Sequence, residues 1–415
     1  MQTLLPALTD FLLWLLSFVG IQTRYSTPNT YGSDLAGFLD VALMGVVILT
    51  ILALDLALFI IWLERKLMAR MMTRRGPTHL GPYGLFQNLS DTVKLMSKEL
   101  ITPKKADGFG FHFAVAIAVI TATMSIFILP FSDSFMVTAP NGGVLLIVAV
   151  FSLYPIGVLV AGWASNNKYS LLGGFRSAAS LISYEIPMML SILSVLILIN
   201  WSLLPGQRTF SFLTMAEFQA NNGWIFFFLP IGFAVAFVSM LGETERVPFD
   251  LPEAESELVM GWRTEYSGST FLLIMAVEYF HMFVNSGIIV YLFFGGYTMP
   301  FFSGLFDGAV WFLIKLHIFV GIMIWIRAAL PRVRIDQFLS IGWTRLIPMA
   351  VINLFLAIGI GYLRFEGGYD FSTIALVNVG AIVLMFVLVF LFSKRKQSVS
   401  LVDPNESTGS VGGSS

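Results

Sequence analysis

Cysteine is absent from the 415 residues, so the chain has no disulfide, no thiolate-bound metal or cluster and no cysteine nucleophile. Charge is scarce: Asp, Glu, Lys and Arg make up 12% of the residues, against about 25% in a soluble globular domain. There is no Walker A loop, no GxGxxG after a strand, no HExxH and no nucleophile elbow, so the usual signatures of soluble catalysis are missing. The first residues lack the basic segment and small-residue cleavage site of a secretory signal. The formal net charge of −1 says little, because placement matters more than the sum.

What is present is apolar length. Hydrophobic residues make up 57% of the chain, with a mean hydropathy of +0.82. Nine stretches approach the ~20 apolar residues that cross a bilayer as a helix: 37–63, 113–131, 143–163, 186–204, 224–241, 269–295, 309–329, 346–363 and 372–393. The expected fold class is an all-α, polytopic transmembrane helix bundle of about nine spans. Segment 4–20 contains Pro6 and Asp10 and reads as an interfacial helix rather than a span. The organisation expected is an N-terminal apolar segment over 1–36, a transmembrane domain over 37–393, and a polar, Ser- and Gly-rich disordered tail over 394–415.

Charge alternates between the connections. The segments 132–142, 205–223, 296–308 and 364–371 carry few charges, among them Asp133, Arg208, Glu217 and Asp307. The segment 64–112 is basic, with Arg65, Lys66, Arg70, Arg74, Arg75, Lys94, Lys98, Lys104 and Lys105. A loop over 164–185 holds Lys168 and Arg176, 327–345 holds Arg327, Arg332, Arg334 and Arg345, and Lys394-Arg395-Lys396 opens the tail. The positive-inside rule puts these basic segments and the C-terminus in the cytoplasm, and the expected location is the cytoplasmic membrane of a bacterium or archaeon. Within 85–100, Leu85, Leu89, Val93, Met96 and Leu100 recur at helical spacing opposite Asn88, Asp91, Lys94 and Lys98. An amphipathic helix in the membrane interface fits this pattern, and so does an ordinary helix packed on the bundle. No internal repeat is evident, which weighs against an inverted-repeat transporter.

The chemistry concentrates in Gly242–Ser267, which carries Glu243, Glu245, Asp250, Glu253, Glu255, Glu257 and Glu265 against Arg246 and Arg263, between two apolar segments. Carboxylates in or near hydrocarbon must be protonated, paired or hydrated, which suits proton handling or a polar pocket for an amphipathic substrate. Pro248 and Pro252 break any continuous helix there. If 253–265 turns helical, Glu253 and Glu257 share a face, and like charges at that spacing favour proton sharing. A solvated acidic loop bound to a basic partner is the plainer alternative. Glu185, placed at the start of a span, and Glu278, deep in 269–295, are interior carboxylates and so functional candidates. Lys315, His317 and Asp55 belong to the same set.

The motifs WLERKLMARMMTRRGP, LLGGFRSAASLISYE, ETERVPFDLPEAESELVMGWRTEYS, EYFHMF and RAALPRVRIDQFLSIGW, in order from Trp62 to Trp343, resemble the quinone-site membrane subunit of respiratory complex I, the H subunit in bacteria. The resemblance implies a non-redox subunit of a proton-pumping NADH:quinone oxidoreductase, inactive alone. It would sit where the hydrophilic arm docks and help wall the quinone chamber. Quinone would be its substrate, with no bound metal or covalent cofactor; iron–sulfur clusters and flavin belong to partner subunits. Partners implied are the hydrophilic quinone-site subunits, small membrane subunits, antiporter-like subunits, quinone and lipid.

By the same resemblance, Glu64, Arg65, Arg74, Arg75 and Asp91 lie in loops near the entrance. Arg176, Glu243, Arg246, Asp250 and Arg263 belong to the chamber loops. Glu185, Glu253, Glu255, Glu257, Glu265 and Glu278 couple to protons, and Arg332, Arg334, Asp336 and Gln337 match a structural or docking loop. One departure is Thr78-His79 between the two Gly-Pro pairs, where the family commonly has Asn-Arg. A related subunit of a membrane-bound hydrogenase shares most of these motifs, and a quinone requirement separates the two. A stand-alone ion-coupled transporter would act as an isolated chain.

Overall fold

The computed structural model describes residues 35–133, 135–203, 209–250, 259–299, 308–365 and 367–368. Segment 4–20, the stretch 372–393, the tail, and Glu253, Glu255 and Glu257 lie outside them. Every regular element among the described residues is helical. The chain divides into two units, Met1–Gly361 and Tyr362–Ser415, and the described functional side chains belong to the first.

The first long helix is α1 (Leu35–Asp55) continued through a π-turn, Leu56–Ile60, into α2 (Ile61–Met71). After a turn built on Gly76-Pro77 and Gly81-Pro82, the amphipathic stretch forms α3 (Gln87–Ser97). Asp107 opens α4 (Gly108–Ile128), its carboxylate accepting from Phe109 N at 3.2 Å. A third span is made of two pieces, α5 (Gly143–Phe151) and α6 (Tyr154–Ala164), the second begun by Pro155 in its first turn.

Asn167 caps α7 (Lys168–Ser202) by accepting from Tyr169 N at 3.1 Å. Ser211 caps α8 (Phe212–Asn222), and Gly223, at φ 88°, ends it. Then come α9 (Pro230–Glu243), α10 (Gly268–Phe293) and α11 (Gly308–Ala329). The last described helix runs from α12 (Ile335–Ser340) through a second π-turn, Ile341–Leu346, into α13 (Ile347–Phe365).

Seven of these helices are long and apolar enough to span a membrane, and α9 is a shorter apolar helix. The chain is thus a polytopic helical bundle. The expected loop over 164–185 is corrected: α7 begins at Lys168 and runs through it without a break. Several of its polar residues are satisfied within the protein. Ser180 and Ser183 hydroxyls donate to the carbonyls of Arg176 and Ala179, at 2.7 and 2.6 Å, and Ser170 donates to Trp262 O at 3.1 Å. Glu185 therefore lies in mid-helix, two residues before Pro187, and not at the start of a span. The connection 205–223 likewise contains α8. Glu64 and Arg65 lie within α2 rather than in a loop.

α7 is the central column, packed by α6 and α9. Glycine permits the approach. A Cβ on Gly162 would stand 2.8 Å from Ser170 O and 3.1 Å from Gly174 Cα, and one on Gly173 would stand 2.6 Å from Gly261 Cα. These contacts are backbone against backbone, as close helix packing in lipid requires. The crossing at Gly173 also fixes the turn Gly261–Arg263 against α7. Gly173→Val is expected to destabilise by about 1–3 kcal/mol through overpacking, read as a drop in the thermal midpoint and in the amount of chain in membranes. The same change at Gly359, where a Cβ meets nothing within 4 Å, should leave both unchanged.

Candidate functional site

Four elements deliver charge to one place. α2 brings Glu64, α10 brings Glu278 and Tyr279, and α11 brings Arg327 in its last turn. The segment between α9 and α10 supplies Glu245, Arg246, Asp250 and Arg263. Glu64, 3% exposed, accepts from Arg246 at 2.7 Å on one carboxylate oxygen and from Arg327 on the other. Arg263, 1% exposed, pairs with Glu245 at 3.3 Å and with Glu278. The Arg246 guanidinium lies 4.1 Å from the centre of the Tyr279 ring. A cavity of about 200 Å³ is lined by Glu64, Met68, Glu245, Arg246, Asp250, Met275, Glu278, Tyr279 and Arg327.

Local structure explains why these side chains turn inward. Arg327 sits in the last turn of α11, where the helix dipole favours a cation. The acidic segment is tied down at Pro248, whose carbonyl accepts from Val333 N at 3.1 Å, and at Asp250, whose carboxylate is 3.5 Å from Arg332. Glu245 occupies the left-handed region at φ 51°, a strained backbone position that sites with fixed geometry tolerate. Burial alone would weaken the charge of Arg246, but the Glu64 carboxylate outweighs it and raises the pKa of Arg246 above the ordinary value. The arginines of the cavity are therefore permanent cations. Near neutral pH its carboxylates are the groups that can change charge.

A second group of carboxylates has no cation among the described residues. Glu185 on α7 and Glu243 at the end of α9 are near enough for their charges to interact. Glu185 Oε1 and Glu243 Oε2 are buried without a hydrogen-bond partner among the described residues. Asn285 of α10 approaches Glu243 without reaching hydrogen-bond geometry. Tyr154 is within electrostatic reach of both groups, of Glu245 and Glu278 in the one and Glu243 in the other, and His281 packs against it. The His281 ring packs edge-on to Phe151 and Tyr154 at centroid distances of 5.4 and 4.4 Å.

The other expected site residues are placed elsewhere. Arg65 pairs with Asp91 at 2.7 Å and donates to Asn88 at 2.6 Å, tying α2 to α3 at the surface, where the pair is 44% and 42% exposed. Arg74 and Arg75 are exposed in the turn after α2. Arg176 is half-buried on α7 and does not line the cavity. Glu265 accepts from the Asn167 amide at 2.6 Å, fastening the acidic segment to the start of α7.

Lys315 has a structural role. Its Nζ donates to the carbonyls of Phe294, Gly296 and Thr298 at 2.8, 3.0 and 2.6 Å, closing the C-terminal end of α10. Sequence reasoning named Glu245 among the acids and Arg327 among the bases without giving either a role in the site, and it gave none to Tyr279 or Tyr154. For Arg327 a signal existed, a lone cation closing an apolar helix; for the tyrosines there was none. Among the described residues no three His, Cys, Asp or Glu side chains are grouped to hold a metal ion.

Removing one member of a buried charge pair leaves the other uncompensated, at a cost of about 3–5 kcal/mol. Arg263→Gln, which strands Glu245 and Glu278, should lower the thermal midpoint strongly. Adding Glu278→Gln to it should recover part of the loss. An additive double variant would mean that the two side chains do not interact.

The family model described as NADH dehydrogenase matches residues 43–358. The H subunits of NADH-quinone oxidoreductase from Bacillus thuringiensis (strain Al Hakam), Bacillus cereus (strain AH187) and Bacillus anthracis (strain A0248) are each similar to this chain. Each is 41% identical over 342 residues, covering 81% of this chain and 97% of the relative. With a matched region that takes in every residue of the cavity, the chain belongs to the NADH dehydrogenase family that includes the H subunits of the NADH-quinone oxidoreductases.

Proposed function

We propose that this chain is the non-redox membrane subunit of a quinone-reducing, proton-translocating oxidoreductase, and that its cavity of arginines and carboxylates is the polar end of the quinone chamber. The observation that carries this reading is the charged cavity itself: buried Glu64, Glu245, Glu278 and Arg246, with half-buried Arg327 closing the lining and Arg263 pairing with Glu245 and Glu278 beside it, where apolar helices converge. Fixed cations orient and stabilise an electron-rich headgroup, and neighbouring carboxylates hold or release the protons that its reduction demands. Charge change in the cavity is passed through Tyr154 and His281 toward Glu185 and Glu243, and from there to pumping subunits. The acidic stretch with Glu253, Glu255 and Glu257 joins this path from outside the described residues.

In this reading the electrons come from an iron–sulfur cluster of a hydrophilic partner, fed by its flavin, and the chain itself carries no cofactor. The exposed basic turn with Arg74 and Arg75, together with the Arg65–Asp91 pair, forms the docking face. That face and the C-terminus lie on the cytoplasmic side, and small and antiporter-like membrane subunits flank the bundle.

Glu185→Gln separates a coupling role from a structural one, because Glu185 has no ion pair among the described residues to break. Membranes carrying it should contain the assembled complex at normal level yet lose roughly tenfold or more of quinone reductase activity and proton pumping together. Full activity and pumping in an assembled Glu185→Gln complex would reduce this residue to packing and sink the relay.

A further inference from the structure

We infer that Asp55 and His317 form a second protonation site, separate from the cavity, which holds one exchangeable proton between α1 and α11. The two side chains meet across the bundle, His317 Nε2 lying 3.2 Å from Asp55 Oδ2. The other ring nitrogen, Nδ1, is 2.8 Å from the carbonyl of Leu313. A carbonyl oxygen only accepts, so Nδ1 carries a hydrogen. The tautomer is therefore fixed, and the attraction between Nε2 and the carboxylate needs a further proton. That proton sits on the ring, giving imidazolium and carboxylate, or on Asp55, giving a neutral acid and imidazole. Both forms have the same composition and the same net charge. Without the proton, a nitrogen lone pair faces a carboxylate, and an uncompensated negative charge remains between two membrane helices.

The surroundings leave this proton with the pair. Both side chains are only about a quarter exposed, at 23% and 24%. The nearby surface is apolar, with Ile51, Leu54, Ile314 and Ile318 exposed, and the Phe59 ring meets His317 edge-on at 5.4 Å. Charged and titratable groups on the neighbouring elements are committed elsewhere or lie at their own contacts. On α11, Lys315 is held by three carbonyls. On α2, Glu64 is held by Arg246 and Arg327. On α3, which packs on the π-turn, Asp91 is held by Arg65, and Lys94 lies in the last turn. On α10, Glu278 pairs with Arg263, and His281 sits between Phe151 and Tyr154. On α4, His112 lies against Phe111. Asp55 is the charge that acts on His317.

The position in the helices gives the site a consequence. Asp55 immediately precedes the π-turn Leu56–Ile60, a helix irregularity that is frequent at functional sites. Nine residues after Asp55 stands Glu64, ten residues after His317 stands Arg327, and these two also pair. The same two helices are thus joined by two rungs about 14 Å apart along their axes. The inner rung contains an arginine and is permanent. The outer rung exists only while its proton is present, so rising pH opens it and falling pH closes it.

The test is pH-difference infrared spectroscopy on the assembled complex in its membranes, comparing the unaltered chain with Asp55→Asn, His317→Gln, the double change and the exchanged pair D55H/H317D. As the pH is raised through the range in which imidazoles titrate, the unaltered complex should show one carboxylate and imidazole signal. Asp55→Asn and His317→Gln should each remove the whole of it, and the double change should remove no more. The exchanged pair should restore it. Unequal or additive losses in the single variants would mean two independent groups, and an unchanged spectrum would mean no proton there; either overturns the inference. If the single variants fail to accumulate, D55H/H317D decides alone: restored accumulation with the signal supports the pair, and restored accumulation without it, or none at all, refutes it. Because no step reads turnover, failure here leaves the cavity reading standing, and an inactive cavity leaves this site standing.

Discussion

The architecture turns on the difficulty of placing arginine among apolar helices. Stripping an isolated cation of water costs several kcal/mol even after a protein relaxes around it. Arg263, 1% exposed, is held there by Glu245 and Glu278 together. Glu278 belongs to α10, and Glu245 to the segment that precedes it, so the pairing folds that segment back onto its own helix. Arg246 and Arg327 then converge on Glu64 from opposite sides, adding α2 and α11 to the same centre. The charges are stable only in company, and their company is what brings four separate elements to one cavity.

Such a centre needs its helices placed to within a fraction of a hydrogen-bond length, and apolar side chains do not provide that in lipid. Between membrane helices, close packing and polar pins replace the hydrophobic driving force. Glycines let α6 and α7 touch through their backbones. Tyr184 of α7 donates to Phe338 O at 3.0 Å, Ser191 to Gly232 O at 2.6 Å, and Asn353 to Ser194 Oγ at 2.6 Å, linking α7 to α12, α9 and α13. Tyr291 donates to Pro130 O at 2.8 Å, and Lys315 closes the end of α10. Each pin satisfies a polar group that has no water to turn to.

The sequence makes the spans legible because each is a long apolar run, and it makes the acidic segment legible because acids between spans are anomalous. It does not reveal partners. Glu64 meets Arg246 and Arg327 across 182 and 263 residues, and no local pattern encodes a contact at that separation. The start of α7 is illegible for a related reason. Lys168, Arg176 and a run of serines look like a connection, yet hydroxyls that bond to their own helix's carbonyls remove the need for solvent. Lys315 looks functional for the opposite reason: an interior lysine has no obvious purpose until the three carbonyls around it are seen.

The described carboxylates fall into kinds set by their company. One clamped by an arginine, such as Glu64, has its charge settled by a cation that never leaves. Glu185 and Glu243 lack such a cation among the described residues, and the charge of Glu185 acts on Glu243. Asp55 is the third kind, its charge settled by a histidine that itself gains and loses a proton. A protein with only the first kind would be electrostatically rigid, and one with only the second would have nothing to hold its helices in register. Fixed pairs at the convergence of the helices, with titratable groups outside those pairs, let a proton move without dismantling the centre that positions it.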